Sequence, residues 1–247
     1  MSITGPEELE GMRAAGEVVR RVLEAMKREV RPGVTTGELD EAGARVMREL
    51  GGKSAPAMVY GFPGSNCISV NDEAVHGIPG ERVLQDGDLV KLDVTVEKDG
   101  FMADAAITVA VGEVAEERRR LMDCAERAFA KAMLVARAGF RVSEIGRVVE
   151  REVRRSGFSV IRDLGGHGIG RTIHEAPRVP NYPDPEASQI LTEGLVITVE
   201  PIIAAGSGRA VVAEDGWTVR TADHRPSAHY EHTLVITKGE PMLLTAG

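Results

Sequence analysis

Residues 90–111 read VKLDVTVEKDGFMADAAITVAV. Two apolar, β-branched runs flank the turn Lys98-Asp99-Gly100, and each run carries one aspartate, Asp93 and Asp104. If the hairpin loop is Lys98-Asp99, the two aspartates lie directly opposite; if it is Asp99-Gly100, they are diagonal neighbours. Side chains alternate along a strand, so either register puts both on one face. Opposed Cβ atoms sit about 5 Å apart, where like charges destabilise a sheet. Burying both unpaired would cost roughly several kcal/mol more. Something positive is therefore expected between them: a basic side chain such as Lys91 or an arginine, a shared proton, or a divalent metal.

Three further residues repeat the pattern. Glu200 sits in LVITVEPII, Glu231 in HYEHTLVI, and His167 in LGGHGIG, where glycines let the backbone approach closely and free the imidazole from crowding. Singly, each has an ordinary explanation: an edge-strand acid facing solvent, or a loop histidine. Jointly, Asp93, Asp104, His167, Glu200 and Glu231 are four carboxylates and one imidazole. That set suits hard or borderline divalent ions such as Mn²⁺, Fe²⁺, Co²⁺ or Zn²⁺. Four acids exceed the needs of one ion, and two ions about 3.5–4 Å apart would use them all. A water shared by such a pair is a hydroxide nucleophile near neutral pH.

These five residues need a scaffold, and the rest of the chain supplies one. The 247 residues are 43% hydrophobic and 28% charged, an ordinary globular composition that gives no sign of more than one domain. The net charge of −8 argues against a nucleic-acid protein. Two cysteines, Cys67 and Cys124, are too few for a disulfide framework and suit a reducing cytoplasm. Neither a signal-peptide pattern nor a membrane-length apolar run is present. Helices are expected from Pro6 to about Val30, from Thr35 (with Glu38 completing a capping box) to Gly51, over 114–138 and over 143–156. Residues 57–80 read as loops around a short strand. The hairpin spans 88–111, and further strands lie near 158–162, 195–204, 216–223 and 227–237. Helices mixed with antiparallel hairpins make this an α+β chain.

The segments DVTVEKDGFMAD, GGHGIGRTIHEAP, TVEPII and HYEHTLVIT, in that order and spacing, resemble methionine aminopeptidase. NDEAVHGIPG, the opening GPEELEGMRAAG and RPGVTTGELD resemble its type I, bacterial-style form. The resemblance spans nearly the whole chain. It implies the pita-bread fold, a pseudo-two-fold curved antiparallel sheet covered by helices, with residues 1–247 as one catalytic domain. It implies removal of N-terminal methionine before a small second residue, by dimetal-activated water attack on the first peptide bond. The family's metal ligands fall on the five residues above. His76, in AVHGIPG, matches a histidine near the scissile amide, and His174, in RTIHEAP, one that steadies the carbonyl oxygen or amide nitrogen. Glu200 is expected to be the proton shuttle as well as a ligand. Phe62, Cys67 and Trp217 are expected to wall an apolar side-chain pocket. His224, His229 and His232 are expected to be structural or exposed.

Some positions depart from the family pattern. Ile173 stands where an aromatic residue is common, Met102 where a histidine is, Ala105 and Ala106 where a polar residue often follows the second aspartate, and Asn181 where a histidine is familiar. None is expected to touch the ligand set. The implied substrates are polypeptide N-termini, and the protein is expected to be a monomer. The chain lacks the N-terminal extension of eukaryotic relatives, so any transient ribosome contact would use the catalytic domain. No membrane partner is expected. The rival enzyme is an X-Pro aminopeptidase or dipeptidase of the same fold, usually with an extra N-terminal domain. The rival of another class is a non-catalytic pita-bread binding protein, which would typically have lost ligands that this chain retains.

Overall fold

The computed structural model describes residues 1–246. Helix α1 (Pro6–Glu29) starts at Pro6 with Glu7 and Glu8 in its first turn and ends on Lys27 and Arg28, so both ends complement the helix dipole. Helix α2 (Thr36–Glu49) has the expected capping box: Thr35 Oγ1 accepts from the Glu38 amide (3.1 Å), and the Glu38 carboxylate accepts from the Thr35 amide (2.7 Å). Helix α3 (Ala55–Tyr60) lies inside the stretch read as loops. It is capped by Ser54 and closed by Gly61 at φ 70°, and six residues are too few to show a helical period. Helix α4 (Glu116–Met133) ends before the expected 138, and α5 (Val142–Arg155) matches its expectation closely.

The strands Leu89–Lys98 and Phe101–Ala110 form the hairpin. Asp99 (φ 50°) and Gly100 (φ 83°) are its loop, and two left-handed residues in a row make a turn whose twist matches the strands. The diagonal register therefore holds: Asp93 pairs with Ala106, and Asp104 with Thr95. Alternation then sorts the two faces. Val90, Leu92, Val94 and Val96 enter the core beneath α1 and α2. Lys91, Asp93, Thr95 and Glu97 take the opposite face by parity. The acids thus sit in a polar row of their own. The polar row is itself largely buried, so the alternation separates two covered faces and not a core face from a solvated one.

In the main sheet, the order by residue range is 53–54, 89–98, 101–110, 231–235, 196–199, 165–168 and 175–180. Strand 67–70 pairs with 89–98, and 242–243 pairs with 231–235. All these pairs are antiparallel. Two large apolar cores, with a small third one of Ala74, Val75, Ile161, Ile202 and Ala204, lie within the described residues. One joins α1 and α2 to the hairpin; the other joins α4 and α5 to strands 196–199 and 231–235. The halves meet where Glu231 pairs with Ala106 and His232 with Ala105. The expected strand 195–204 breaks at Pro201 into Val196–Val199 and Ile202–Ala204, and 227–237 breaks at Tyr230.

Strands Gly165–Gly168 and Glu175–Pro180 were not expected, because glycine and proline mask them. The glycines are needed for contact. A Cβ on Gly166 would overlap the Thr198 carbonyl oxygen, and one on Gly168 the Ala176 carbonyl oxygen. Gly166→Ala is therefore expected to destabilise the fold by about 1–3 kcal/mol. The check is a urea midpoint that drops at unchanged slope; an unshifted midpoint would show that this close approach is dispensable.

Candidate metal centre

One cavity of about 220 Å³ is lined by Asp93, Asp104, His167, Glu200 and Glu231, and also by His76, His174, Phe62, Cys67 and Trp217. Four segments deliver the first set. The hairpin brings both aspartates, strand 165–168 brings His167, Glu200 follows strand 196–199, and Glu231 begins strand 231–235. Threonines pin them. Thr198 Oγ1 accepts from the His167 amide (3.1 Å) and donates to Glu200 Oε1 (3.1 Å). Thr233 Oγ1 accepts from the Asp104 amide (2.9 Å) and donates to the Asp104 carbonyl (2.8 Å). His167 Nδ1 donates to the Gly168 carbonyl (2.8 Å), which leaves the Nε2 lone pair free.

The electrostatics are those of crowded, buried acids. Burial, with the Asp104 and Glu200 charges adding to it, raises the Asp93 carboxyl well above the carboxylate range. Burial pushes Asp104 up to about 7. Burial and then Asp104 push Glu200 up to about 8. Glu231 rises well above its ordinary value for the same reasons. Burial pushes His167 down to about 4. Among the described residues, the basic side chains within 4.0 Å of these carboxylates are His167, 3.6 Å from Glu200, and His229, 3.3 Å from Glu231 and 3.7 Å from Glu200. Lys91 is no partner for Asp93: its buried ammonium donates to the Asn71 carbonyl (2.7 Å) and the Ser227 carbonyl (3.5 Å).

The residues fit a divalent cation. Asp104 Oδ1 and Glu231 Oε1 are buried without a hydrogen-bond partner. Asp104, His167 and Glu231 each offer one ligand atom within 4.8 Å of the others, and so do Glu200, His229 and Glu231. Asp93 belongs to neither trio but lines the same cavity. Orphaned, mutually repelling oxygens in a dry site are relieved by positive charge.

The remaining wall divides by chemistry. Phe62 is buried and meets Trp217 edge-on, with ring centroids 5.3 Å apart. Cys67 is buried opposite Asp93, and burial pushes its thiol pKa well up, so it acts as a small apolar surface. His76 holds a left-handed backbone at φ 57°, a conformation that non-glycine residues adopt at a cost and that often marks a functional position. His174 packs against His167, with ring centroids 4.2 Å apart.

Three residues depart from expectation. His229 is only 2% exposed and faces Glu200 and Glu231. His224 is exposed and His232 is structural, held by Thr245 and Tyr230, as expected. Asn181 does touch the acidic set, donating to the Glu200 carbonyl (2.8 Å). Tyr60 was missed outright: its hydroxyl lies 2.7 Å from His174 Nδ1. Nothing in the one-dimensional pattern around Tyr60 marks it. His229 could have been found from its spacing of two from Glu231, which predicts a shared face.

The raised carboxyls carry a stability signature. Asp104 and Glu200 keep their protons in the native state up to about 7 and about 8. In the unfolded chain both lose them near pH 4, at about the ordinary carboxylate pKa. Between those limits these two groups hold more protons in the native state, so their contribution to stability falls as pH rises. Below about pH 6.5 the buried histidines, which bind protons only in the unfolded chain, oppose this trend, so metal-free protein held in chelator is expected to melt progressively lower from about pH 6.5 toward pH 8. The loss is on the order of 1 kcal/mol per pH unit for each retained proton. A melting temperature that climbs over this range would contradict the assignment.

Residues 10–238 match the model of metallopeptidase family M24. Over 247 residues the chain is 47% identical to methionine aminopeptidase 2 of Bacillus subtilis (strain 168), covering 99% of each. Its structure superposes on the crystal structure of methionine aminopeptidase from Thermotoga maritima with a TM-score of 0.96 at 36% identity, covering 100% of both chains. Prolidase from Pyrococcus furiosus shares the fold, with a TM-score of 0.79 at 23% identity, over 99% of this chain and 65% of that one. The architecture is the pita-bread fold anticipated from the sequence. With four acids and a histidine converging in one cavity, the chain belongs to metallopeptidase family M24 and, within it, to the methionine aminopeptidases.

Proposed function

We propose that this chain removes the N-terminal methionine from polypeptides whose second residue is small. The observation that carries the proposal is one cavity uniting an oxygen-rich donor set with an apolar wall of Phe62, Cys67 and Trp217. Asp93, Asp104, His167, Glu200 and Glu231 would hold two divalent ions, of the Fe²⁺, Mn²⁺, Co²⁺ or Zn²⁺ kind. When bound, those ions supply a water acidic enough to attack at neutral pH and an electrophile for the scissile carbonyl.

The protein's own groups do the rest. The apolar wall takes the methionine side chain, whose flexible thioether adapts to it. That fixes the first peptide bond over the acids and leaves little room for the second side chain. Tyr60 donates to His174 Nδ1, which puts the imidazole proton on Nε2, ready to bond the developing oxyanion. His76 sits at the scissile amide. Glu200 accepts the proton of the nucleophilic water and returns it to the departing amine. Residues 1–247 act as one catalytic unit, in the cytoplasm and as a monomer. Among the described residues, no helix is long and apolar enough to cross a membrane.

Dialysis against chelator is expected to abolish methionine release from Met-Gly peptides, and re-addition of a divalent ion to restore it. Gly-Pro peptides are expected to be poor substrates, and their cleavage in preference to Met-Gly would favour the X-Pro enzyme instead. Asp104→Asn is expected to lose both metal binding and turnover. His174→Ala is expected to lower kcat by about 10²–10³-fold with little change in KM, as for a lost oxyanion donor. Tyr60→Phe is expected to lower kcat in the same sense by less, and an unchanged kcat would remove Tyr60 from the mechanism.

A further inference from the structure

His229 is an imidazole without an assigned task. It ends the strand Ser227–His229, where it pairs with Ile202. Its main chain is locked to the hairpin: the His229 amide donates to Thr108 Oγ1 (2.8 Å), and Thr108 Oγ1 donates to the His229 carbonyl (2.8 Å). The side chain is therefore set by the fold and not by rotation of a loose loop. It is 2% exposed, and neither ring nitrogen makes a hydrogen bond, although Nε2 lies within reach of two carboxylates. A buried donor left in that condition is destabilising, so its retention needs a reason.

The reason lies at Nε2. That nitrogen stands 3.3 Å from Glu231 Oε2 and 3.7 Å from Glu200 Oε2. The two carboxylates come from different strands, and His229 stands within reach of both. Glu200 is steadied on its other side, where Thr198 donates to Oε1. Glu231 Oε1 has no partner at all. Each carboxylate thus has one oxygen toward His229 and one directed elsewhere. Carboxylates that ligate metals are themselves held by outer hydrogen bonds, and these fix which oxygen is offered to the ion.

We propose that His229 is a positioning residue, whose Nε2–H holds the Glu200 and Glu231 carboxylates in one orientation so that both bind divalent metal. The proposal rests on the assignment of those two glutamates as ligands. Asp104, His167 and Glu231 form the other trio, so His229 acts on the shared residue Glu231 and on Glu200 without displacing His167.

The test uses full-length native protein, His229→Leu, which removes the donor at similar volume, and His229→Gln, which keeps an N–H. Mn²⁺ binding is followed by calorimetry, and pulsed EPR counts the imidazole nitrogens on the bound ion. His229→Leu is expected to weaken Mn²⁺ binding by about 10–100-fold. His229→Gln is expected to remain within a few-fold of native. One coordinated imidazole, from His167, is expected in the native protein. Binding by His229→Leu equal to native overturns the proposal, as does His229→Gln falling as far as His229→Leu. Two coordinated imidazoles in the native protein overturn it as well, because His229 is then itself a ligand. The EPR count needs no variant, so it decides even if His229→Leu fails to fold. Native protein that binds no Mn²⁺ removes the metal assignment and not merely the role of His229.

Discussion

Mutual repulsion among four carboxylates gathered in one cavity is the constraint on which this structure turns. No lysine or arginine among the described residues reaches Asp93, Asp104, Glu200 or Glu231, and the two imidazoles close by are uncharged at neutral pH because burial holds their pKa values low. Four acids gathered this way stay folded by keeping protons or by binding cations. The first option is visible in the raised carboxyl pKa values. The second is what the proposed chemistry uses. The same groups thus link the stability of the protein to what it binds.

The fold places this frustrated cluster where it does least damage. Apolar burial is concentrated on the helix-covered side of the sheet, in two cores under α1–α2 and α4–α5. The acids project from the other side, where the two halves join at Glu231 and Ala106. Each half contributes carboxylates from strands that are rigid because their alternate residues are packed. A site built on packed strands keeps its geometry better than one built on loops. Threonines 198 and 233 serve both purposes, bonding backbone and holding ligand-bearing residues in one place.

Around the cluster, the polar residues that were overlooked or set aside owe their roles to contacts outside their own segment. Asn181 meets the Glu200 carbonyl through the return of strand 175–180. Tyr60, at the end of α3, meets His174 across 114 residues. His229 has a local partner in Glu231, but its importance arises only when Glu200 comes alongside. Lys91 is the complementary case. It resembled an ion-pair partner for Asp93 by proximity in the chain, yet a strand sends residues two apart to one face without making them touch. Its ammonium turns to backbone carbonyls instead.

Local chemistry wrote a large share of this protein into its sequence. The capping box at Thr35, the proline start of α1, the Asp99-Gly100 loop and the period-two placement of Asp93 and Asp104 all depend on neighbours within a few residues, so they were legible in one dimension. The four acids and the histidine could be singled out because buried charge is anomalous wherever it occurs. Which hairpin register is used, the Gly- and Pro-rich strands, the short helix α3 and the roles of Tyr60, Asn181 and His229 were settled by contacts between segments far apart. Those contacts form only when the sheet closes, and a pattern read along the chain has no term for them.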